Sequence, residues 1–193
     1  MPKEKISLIN PRTEDLDAFY FWEQVDEKQE AAKWNGPYYK VPKRTREEFA
    51  KKWMDNEILP GVPGLMVICA DEKFIGTVTA FWISKETNWA ETGIVIYDPV
   101  YWNGGYGTVA YKLWLDFLFE TTELHRLGMS TWSGNLRMIK CAEKCGMREE
   151  ARIRQARIVN GEFYDGIKMG ILRSEWEAKK KNAYTNPPVK YNQ

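Results

Sequence analysis

Apolar residues recur along this chain with two periods, and the switches between them mark its elements. Runs with strand character occupy Lys5 to Asn10, Leu65 to Ala70, Lys73 to Ser84, Trp89 to Tyr97, Leu127 to Trp132, Met147 to Val159 and Glu162 to Leu172. Helix-like runs occupy Thr13 to Gln24, Thr45 to Asn56, Thr108 to Glu120 and Leu136 to Cys145. Local punctuation supports these boundaries. Thr13 is suited to N-cap the first helix, and Thr45 with Glu48 has the sequence of a capping box. Gly146 stands at the C′ position of the last of these helices. Asp71-Glu72 and Asn160-Gly161 are placed to turn hairpins, the second as a type I′ turn. Gln29 to Lys43 reads as a loop. From Ala178 onward Lys179-Lys180-Lys181 and Pro187-Pro188 give the composition of a basic, disordered tail. The order predicts a single mixed α/β (α+β) domain over residues 1–177, with no internal repeat or linker.

Composition narrows the function classes. The 193 residues suffice for one sizeable core, and 28 Lys plus Arg against 27 Asp plus Glu give no global field for nucleic acid or an anionic membrane. Met1-Pro2-Lys3-Glu4-Lys5 enters strand-like residues directly, without an apolar leader, and no run approaches the ~20 apolar residues of a membrane span. Cys69, Cys141 and Cys145 are read as reduced thiols of a cytoplasmic protein. Cys141 and Cys145 share a helix face but have no further ligand nearby, so no metal is expected.

The candidate chemistry centres on Tyr97-Asp98-Pro99-Val100-Tyr101-Trp102-Asn103-Gly104-Gly105-Tyr106-Gly107-Thr108. A strand pattern enters this run and a helical pattern leaves it. Gly104, Gly105 and Gly107 allow a tight turn whose N–H groups lie at a helix start, where unpaired donors and the dipole favour an anion. The anion is not held in a Walker loop, because Gly107 is followed by Thr108-Val109-Ala110. Nor does G-G-x-G fit the dinucleotide fingerprint.

With the residues that follow, the chain resembles the GNAT superfamily of N-acetyltransferases, and within it the branch of ribosomal-protein N-terminal acetyltransferases. The superfamily's acetyl-CoA loop reads Q/R-x-x-G-x-G/A. Gly105 and Gly107 fill its glycine positions, while Trp102 stands where Gln or Arg is usual. The branch's aromatic-Trp pair and G-Y-G/A-T are matched by Tyr101-Trp102 and Gly105-Tyr106-Gly107-Thr108. His125-Arg126, Asn135-Leu136-Arg137-Met138, Glu143-Lys144-Cys145-Gly146-Met147, the turn at Asn160-Gly161 and Ile171-Leu172-Arg173-Ser174-Glu175-Trp176 follow in the branch's order. The resemblance spans about residues 5 to 177. It implies a single GNAT-like domain: a mostly antiparallel twisted sheet with flanking helices, and one splayed parallel pair formed by Trp89 to Tyr97 and Leu127 to Trp132. Acetyl-CoA would lie in the splay, its pantetheine amides on backbone groups of Val95, Ile96 and Tyr97. Its pyrophosphate would lie on the N–H groups from Asn103 to Thr108, with Trp102 packing beside it. Asn135 matches the asparagine that contacts the cofactor arm, and it is equally suited to cap its own helix.

Acetyl transfer to an amine needs a base, because an amine near pKa 10 is protonated at neutral pH. Glu91, in Ala90-Glu91-Thr92-Gly93, matches the glutamate of the family's E-x-G strand and is the candidate base. Its other reading is a polar residue at a strand start, and Glu150 and Asp165 are weaker rivals. The family's thiolate-protonating Ser or Tyr positions hold Met138 and Ala142, so the general acid is unknown, with Cys141 and Ser133 as substitutes. His125, the only histidine, is read as structural. An acceptor pocket is expected from Lys33 to Val41 and the strand faces near Trp82, Glu91 and Trp132, in a region where Trp22, Trp34, Tyr38, Tyr39 and Trp53 also crowd. The expected activity is direct transfer, in a ternary complex, from acetyl-CoA to a primary amine: a peptide N-terminus, polyamine, aminoglycoside or amino sugar. An acyl-CoA-binding or regulatory module on the same fold is the alternative, and monomer and homodimer are both compatible.

Overall fold

The computed structural model describes residues 2–39, 42–54 and 56–185. Among them nine strands form: β1 (Ile6–Ile9), β2 (Glu57–Leu59), β3 (Val62–Pro63), β4 (Leu65–Ala70), β5 (Lys73–Ser84), β6 (Trp89–Ile96), β7 (Arg126–Trp132), β8 (Arg148–Val159) and β9 (Glu162–Leu172). Five α-helices join them: α1 (Asp15–Tyr20), α2 (Arg46–Met54), α3 (Tyr106–Thr121), α4 (Leu136–Lys144) and α5 (Arg173–Thr185). Seven strands make one sheet in the order β1-β4-β5-β6-β7-β9-β8, antiparallel except where β6 meets β7. That is the mixed α/β architecture the pattern predicts. The parallel contact has three rungs, Trp89 with Arg126, Ala90 with Leu127 and Glu91 with Gly128, after which the strands part.

The sheet buries each face differently. On one side Ile68, Val78, Leu127, Met129 and Ile167 meet Tyr111, Trp114, Leu115 and Leu118 of α3. Burying such side chains contributes about 1.5–3 kcal/mol each. On the other side α1 and α2 cover only the β1-β4-β5 end, through Leu16, Phe49, Trp53, Leu65 and Val67. The β6-β7-β9 half of that second face carries glycines instead, and Gly128 leaves room for the Trp89 and Glu91 side chains to lie 3.4–3.5 Å from where a Cβ would stand.

Several boundaries differ from the pattern. Helix α1 starts at Asp15, without a side-chain cap from Thr13, and continues as one π-helical turn over Phe21–Val25. The capping box forms as expected: Thr45 N–H donates to Glu48 Oε2 at 2.9 Å and Glu48 N–H to Thr45 Oγ1 at 3.2 Å. The small β2–β3 hairpin about Pro60-Gly61 was not expected. Residues 178–185 belong to α5 rather than to a disordered tail. Trp176 explains this, packing 5.2 Å from Phe119 and donating to Asp116 at 2.6 Å, while Lys179 reaches Gly146 O at 3.0 Å. Pro187-Pro188 lies outside the described residues. Asn160 and Gly161 both have positive φ, as a type I′ turn requires. No helix among the described residues is long and apolar enough to cross a membrane.

Candidate active site

Where β6 and β7 part, a cleft of about 410 Å3 opens between Thr92 to Ile96 and Met129 to Thr131. Its far end is closed by the glycine turn and the start of α3, and its side by α4. The N–H of Tyr97 donates to Ile75 O at 3.0 Å. Antiparallel alternation therefore turns the backbone groups of Val95 and Tyr97 toward β5 and those of Ile94 and Ile96 toward the cleft. Of the three residues predicted to offer backbone to an extended ligand, only Ile96 faces it. Its carbonyl already accepts from Trp102 Nε1 at 2.9 Å. Tyr97 does not line the cleft.

The glycine turn presents donors as its sequence predicts, from a helix that begins two residues early. Gly105 is the N-cap, with φ +86, and Asn103 also has positive φ, at +62. The first intrahelical bond is Val109 N–H to Gly105 O at 3.1 Å. The N–H groups of Tyr106, Gly107 and Thr108 therefore have no partner within the helix and sit at its positive end. Those three residues, Gly105, Asn103 and Trp102 all line the cleft. Gly104 does not; a Cβ there would lie 2.5 Å from the Tyr106 ring, so its role is packing.

Charge in the cleft departs from the neutral balance of the chain. Arg137, Lys140 and Lys144 lie on one face of α4, at i, i+3 and i+7, and all three line it, whereas no carboxylate does among the described residues. The Arg137 guanidinium lies 4.1 Å from the Trp34 ring centre and 4.5 Å from that of Trp102, a cation between two indoles. The Trp34 carbonyl accepts from Trp132 Nε1 and Asn135 Nδ2, both at 3.0 Å. Asn135 also caps α4, its Oδ1 accepting from Met138 N–H at 3.2 Å. The early loop is thus tied across the mouth of the cleft by one carbonyl and one stacked arginine.

Glu91 is 6 % exposed and does not itself line the cleft. Its Oε2 accepts from Ser130 Oγ at 2.8 Å and its Oε1 from Lys168 Nζ at 2.6 Å, and Lys168 also donates to Ser130 Oγ. Ser130, two residues past the last parallel rung, does line it. Glu150 is paired with Arg126, and Asp165 with Gln155 N–H and Arg152; neither lines the cleft. Of the positions suited to an acid, Met138 lines the cleft and Ala142 is fully buried. Ser133 is engaged with Asp165, its Oγ accepting from Asp165 N–H at 3.0 Å. Cys141 lines the cleft, and the adjoining Cys145 side chain holds it below the usual thiol range while being pushed up itself; Cys145 Sγ donates to Thr108 O at 3.6 Å.

The aromatic pocket is only partly assembled. Trp53 is core, and Trp82 belongs to the α3 side, donating to Ile58 O at 2.7 Å. Trp22 lines a smaller cavity of about 60 Å3 that shares Ala31, Asn35 and Val95 with the main cleft. Lys40 and Val41 of the predicted acceptor loop lie outside the described residues. The residues that pattern reasoning missed are Ser130, Lys168 and the α4 cations. The i, i+3, i+7 spacing of the cations was the one available signal; the other two meet only through strand register.

Comparison with known proteins agrees with this geometry. The acetyltransferase (GNAT) domain family matches residues 5–148. An SPbeta prophage-derived uncharacterized N-acetyltransferase, YokL, of Bacillus subtilis is 21% identical over 127 residues, 66% of this chain and 71% of that protein. A putative ribosomal N-acetyltransferase, YdaF, of the same organism is 29% identical over 100 residues, 52% of this chain but 47% of that protein, so the match spans about half of it. Among solved structures, spermidine N-acetyltransferase from Vibrio cholerae, in complex with CoA and spermine, superposes with a TM-score of 0.71 at 21% identity. That superposition covers 89% of this chain and 98% of that one.

Proposed function

The chain belongs to the acetyltransferase (GNAT) domain family, and from that premise we propose that it transfers an acetyl group from acetyl-CoA directly to a primary amine. One observation carries the reading: a cleft between parting parallel strands lined, among the described residues, by three cations, a run of free helix N–H groups and no carboxylate. This donor set suits a ligand bearing several phosphates. Tyr106, Gly107 and Thr108 N–H would hold the pyrophosphate, Arg137, Lys140 and Lys144 would neutralise phosphate charge, and Ile94 and Ile96 would align the extended arm. Acetyl-CoA supplies the activated thioester; the protein positions it and manages the amine's proton. Glu91 is the proposed base, working at the point where the strands part. Trp102 does not supply the Gln or Arg side chain its position usually carries. Arg137 brings one to the same wall from α4 instead.

The acceptor is assigned as a primary amine, with a peptide N-terminus and a polyamine as leading classes, supported by the names of the Bacillus and Vibrio relatives. Residues 1–177 are proposed as the catalytic domain, α5 packing across its end. Met138 and Ala142 favour a second reading, an acyl-CoA-binding module without turnover. Thiol release from acetyl-CoA, measured against an unblocked peptide, spermidine, an aminoglycoside and an amino sugar, decides between them, with CoA binding followed by calorimetry. Turnover abolished in Glu91→Gln with CoA affinity kept supports the enzyme. Wild-type CoA binding without turnover on any amine supports the module, and no CoA binding refutes both.

A further inference from the structure

Glu91 is buried and has no surface on the cleft, yet a base must reach the acceptor nitrogen. The structure offers one bridge between them. Ser130 Oγ donates its hydrogen to Glu91 Oε2 and accepts one from Lys168 Nζ. A hydroxyl has one donor and two lone pairs, so these bonds leave Ser130 a single free valence, an acceptor. Ser130 is exposed and lines the cleft just past the last rung of the parallel pair. A lone pair presented there, backed by a carboxylate, is what an ammonium N–H needs.

We propose that Ser130 is a catalytic residue: the relay through which Glu91 deprotonates the acceptor amine, with Lys168 positioning both. This rests on the acetyl-transfer reading above and names the contact that reading lacks. In the step, one ammonium proton passes to Ser130 Oγ as the serine's own proton passes to Glu91 Oε2. The freed nitrogen pair forms the N–C bond, the C–S bond breaks with its pair left on sulfur, and a second amine proton neutralises the thiolate. The third amine proton remains on the amide, and Glu91 later returns its proton to water. Lys168 contributes beyond orientation, because a fixed cation beside the seat disfavours the charged form of the incoming amine. Ser130, Glu91 and Lys168 come from three adjacent strands, so their spacing is set by sheet register rather than by a mobile loop.

Three variants, Ser130→Ala, Ser130→Thr and Lys168→Met, test this with spermidine and an unblocked peptide as acceptor probes. In Ser130→Ala the expected loss in kcat is about 10²-fold or more, in line with removal of acid–base assistance, with CoA affinity and melting temperature unchanged. The loss should shrink as pH rises toward the amine's own pKa, where the acceptor deprotonates without help, and Ser130→Thr should restore most of the rate. Lys168→Met should reduce kcat less than Ser130→Ala does. A second readout needs no turnover. In protein carrying 13C-labelled glutamate, with the Glu91 carboxyl signal identified by its loss in Glu91→Gln, acceptor binding to the CoA complex should shift that signal toward the protonated form. The shift should be absent in Ser130→Ala. Ser130→Ala with wild-type kcat and pH profile, or Ser130→Thr as impaired as Ser130→Ala, overturns the relay while leaving acetyl transfer intact. A wild-type protein that binds CoA but acetylates none of the peptide, spermidine, aminoglycoside and amino sugar overturns the acetyl-transfer reading, and the relay with it.

Discussion

Replacing Arg137 by Ala removes a guanidinium held 4.1 Å from one indole and 4.5 Å from another at the mouth of the cleft. Two consequences separate cleanly. In the free protein the change deletes two exposed cation–π contacts, each worth about 0.5–1 kcal/mol. Stability should therefore fall by about 1–2 kcal/mol, or a few degrees in melting temperature for a domain of this size. In the proposed CoA complex it would delete a charge-assisted contact to phosphate, worth about 1.5–3 kcal/mol. Since about 1.4 kcal/mol is tenfold in Kd, CoA should bind about 10- to 150-fold more weakly. Titration calorimetry near 0.1 M salt measures this, and a repeat at 1 M should narrow the gap, as screening falls from about 10 Å to about 3 Å. Arg137→Lys should recover part of the affinity through its charge but little of the stacking, because a lysine lacks the planar face. A CoA Kd within twofold of wild type at low salt would refute the assignment of α4 as the phosphate-facing wall, whatever happened to stability.

Other outcomes follow from the same structure. Gly105→Ala forces a side chain into φ +86. It should cost about 1–2 kcal/mol and weaken CoA binding as the turn relaxes, seen as paired losses in melting temperature and calorimetric affinity. Asp165 is held below its usual range first by Gln155 N–H and then by Arg152. Its contribution is present above the unfolded-state pKa of about 3.9 and disappears as pH falls through the lower folded value. An Asp165→Asn protein should therefore show a flatter acid limb in a pH-melting series; an unchanged limb would contradict this. Cys141, the more acidic thiol of its pair and the one lining the cleft, should react with iodoacetamide before Cys145 and be protected by CoA, as read by peptide mass mapping.

How much of this was readable beforehand depends on how local each cause is. The glycine turn was legible because its requirement is local: Gly104, Gly105 and Gly107 fall within four positions, and Gly105 takes the positive φ of the N-cap. The mostly antiparallel sheet and its single parallel contact followed from the family resemblance, and the hairpin at Asn160-Gly161 from turn chemistry. The Ser130–Glu91–Lys168 bonds were not legible, since they join residues up to 77 positions apart through a register that only the folded sheet sets. Trp34 shows the same limit. It was noted as one aromatic in a crowded loop, whereas its carbonyl, 98 and 101 residues from the two donors it receives, is what fixes that loop over the cleft. Backbone direction was half legible. Period-two alternation tells which residues face which side, but the parity that turned Val95 and Tyr97 toward β5 came from one bond to Ile75.

The outer strand β8 has a consequence for life in a crowded solution. Twelve residues long and largely exposed, it offers unpaired backbone groups that could recruit the strand of another molecule, and the sheet's other border, β1, is only four residues long. Its ladder is broken twice, between Glu149 and Ala151 and between Ile153 and Arg157, with Gln155 at φ +52 in the second break. Arg148, Arg152, Arg154 and Arg157 repeat along it. Interrupted pairing and charged side chains are what keep an edge from templating growth. The kinked, arginine-studded border thus lets exposed Ile153, Ile158 and Phe163 remain at the surface without nucleating a fibril. Straightening it, or trading its arginines for valines, would turn a guarded border into a seed.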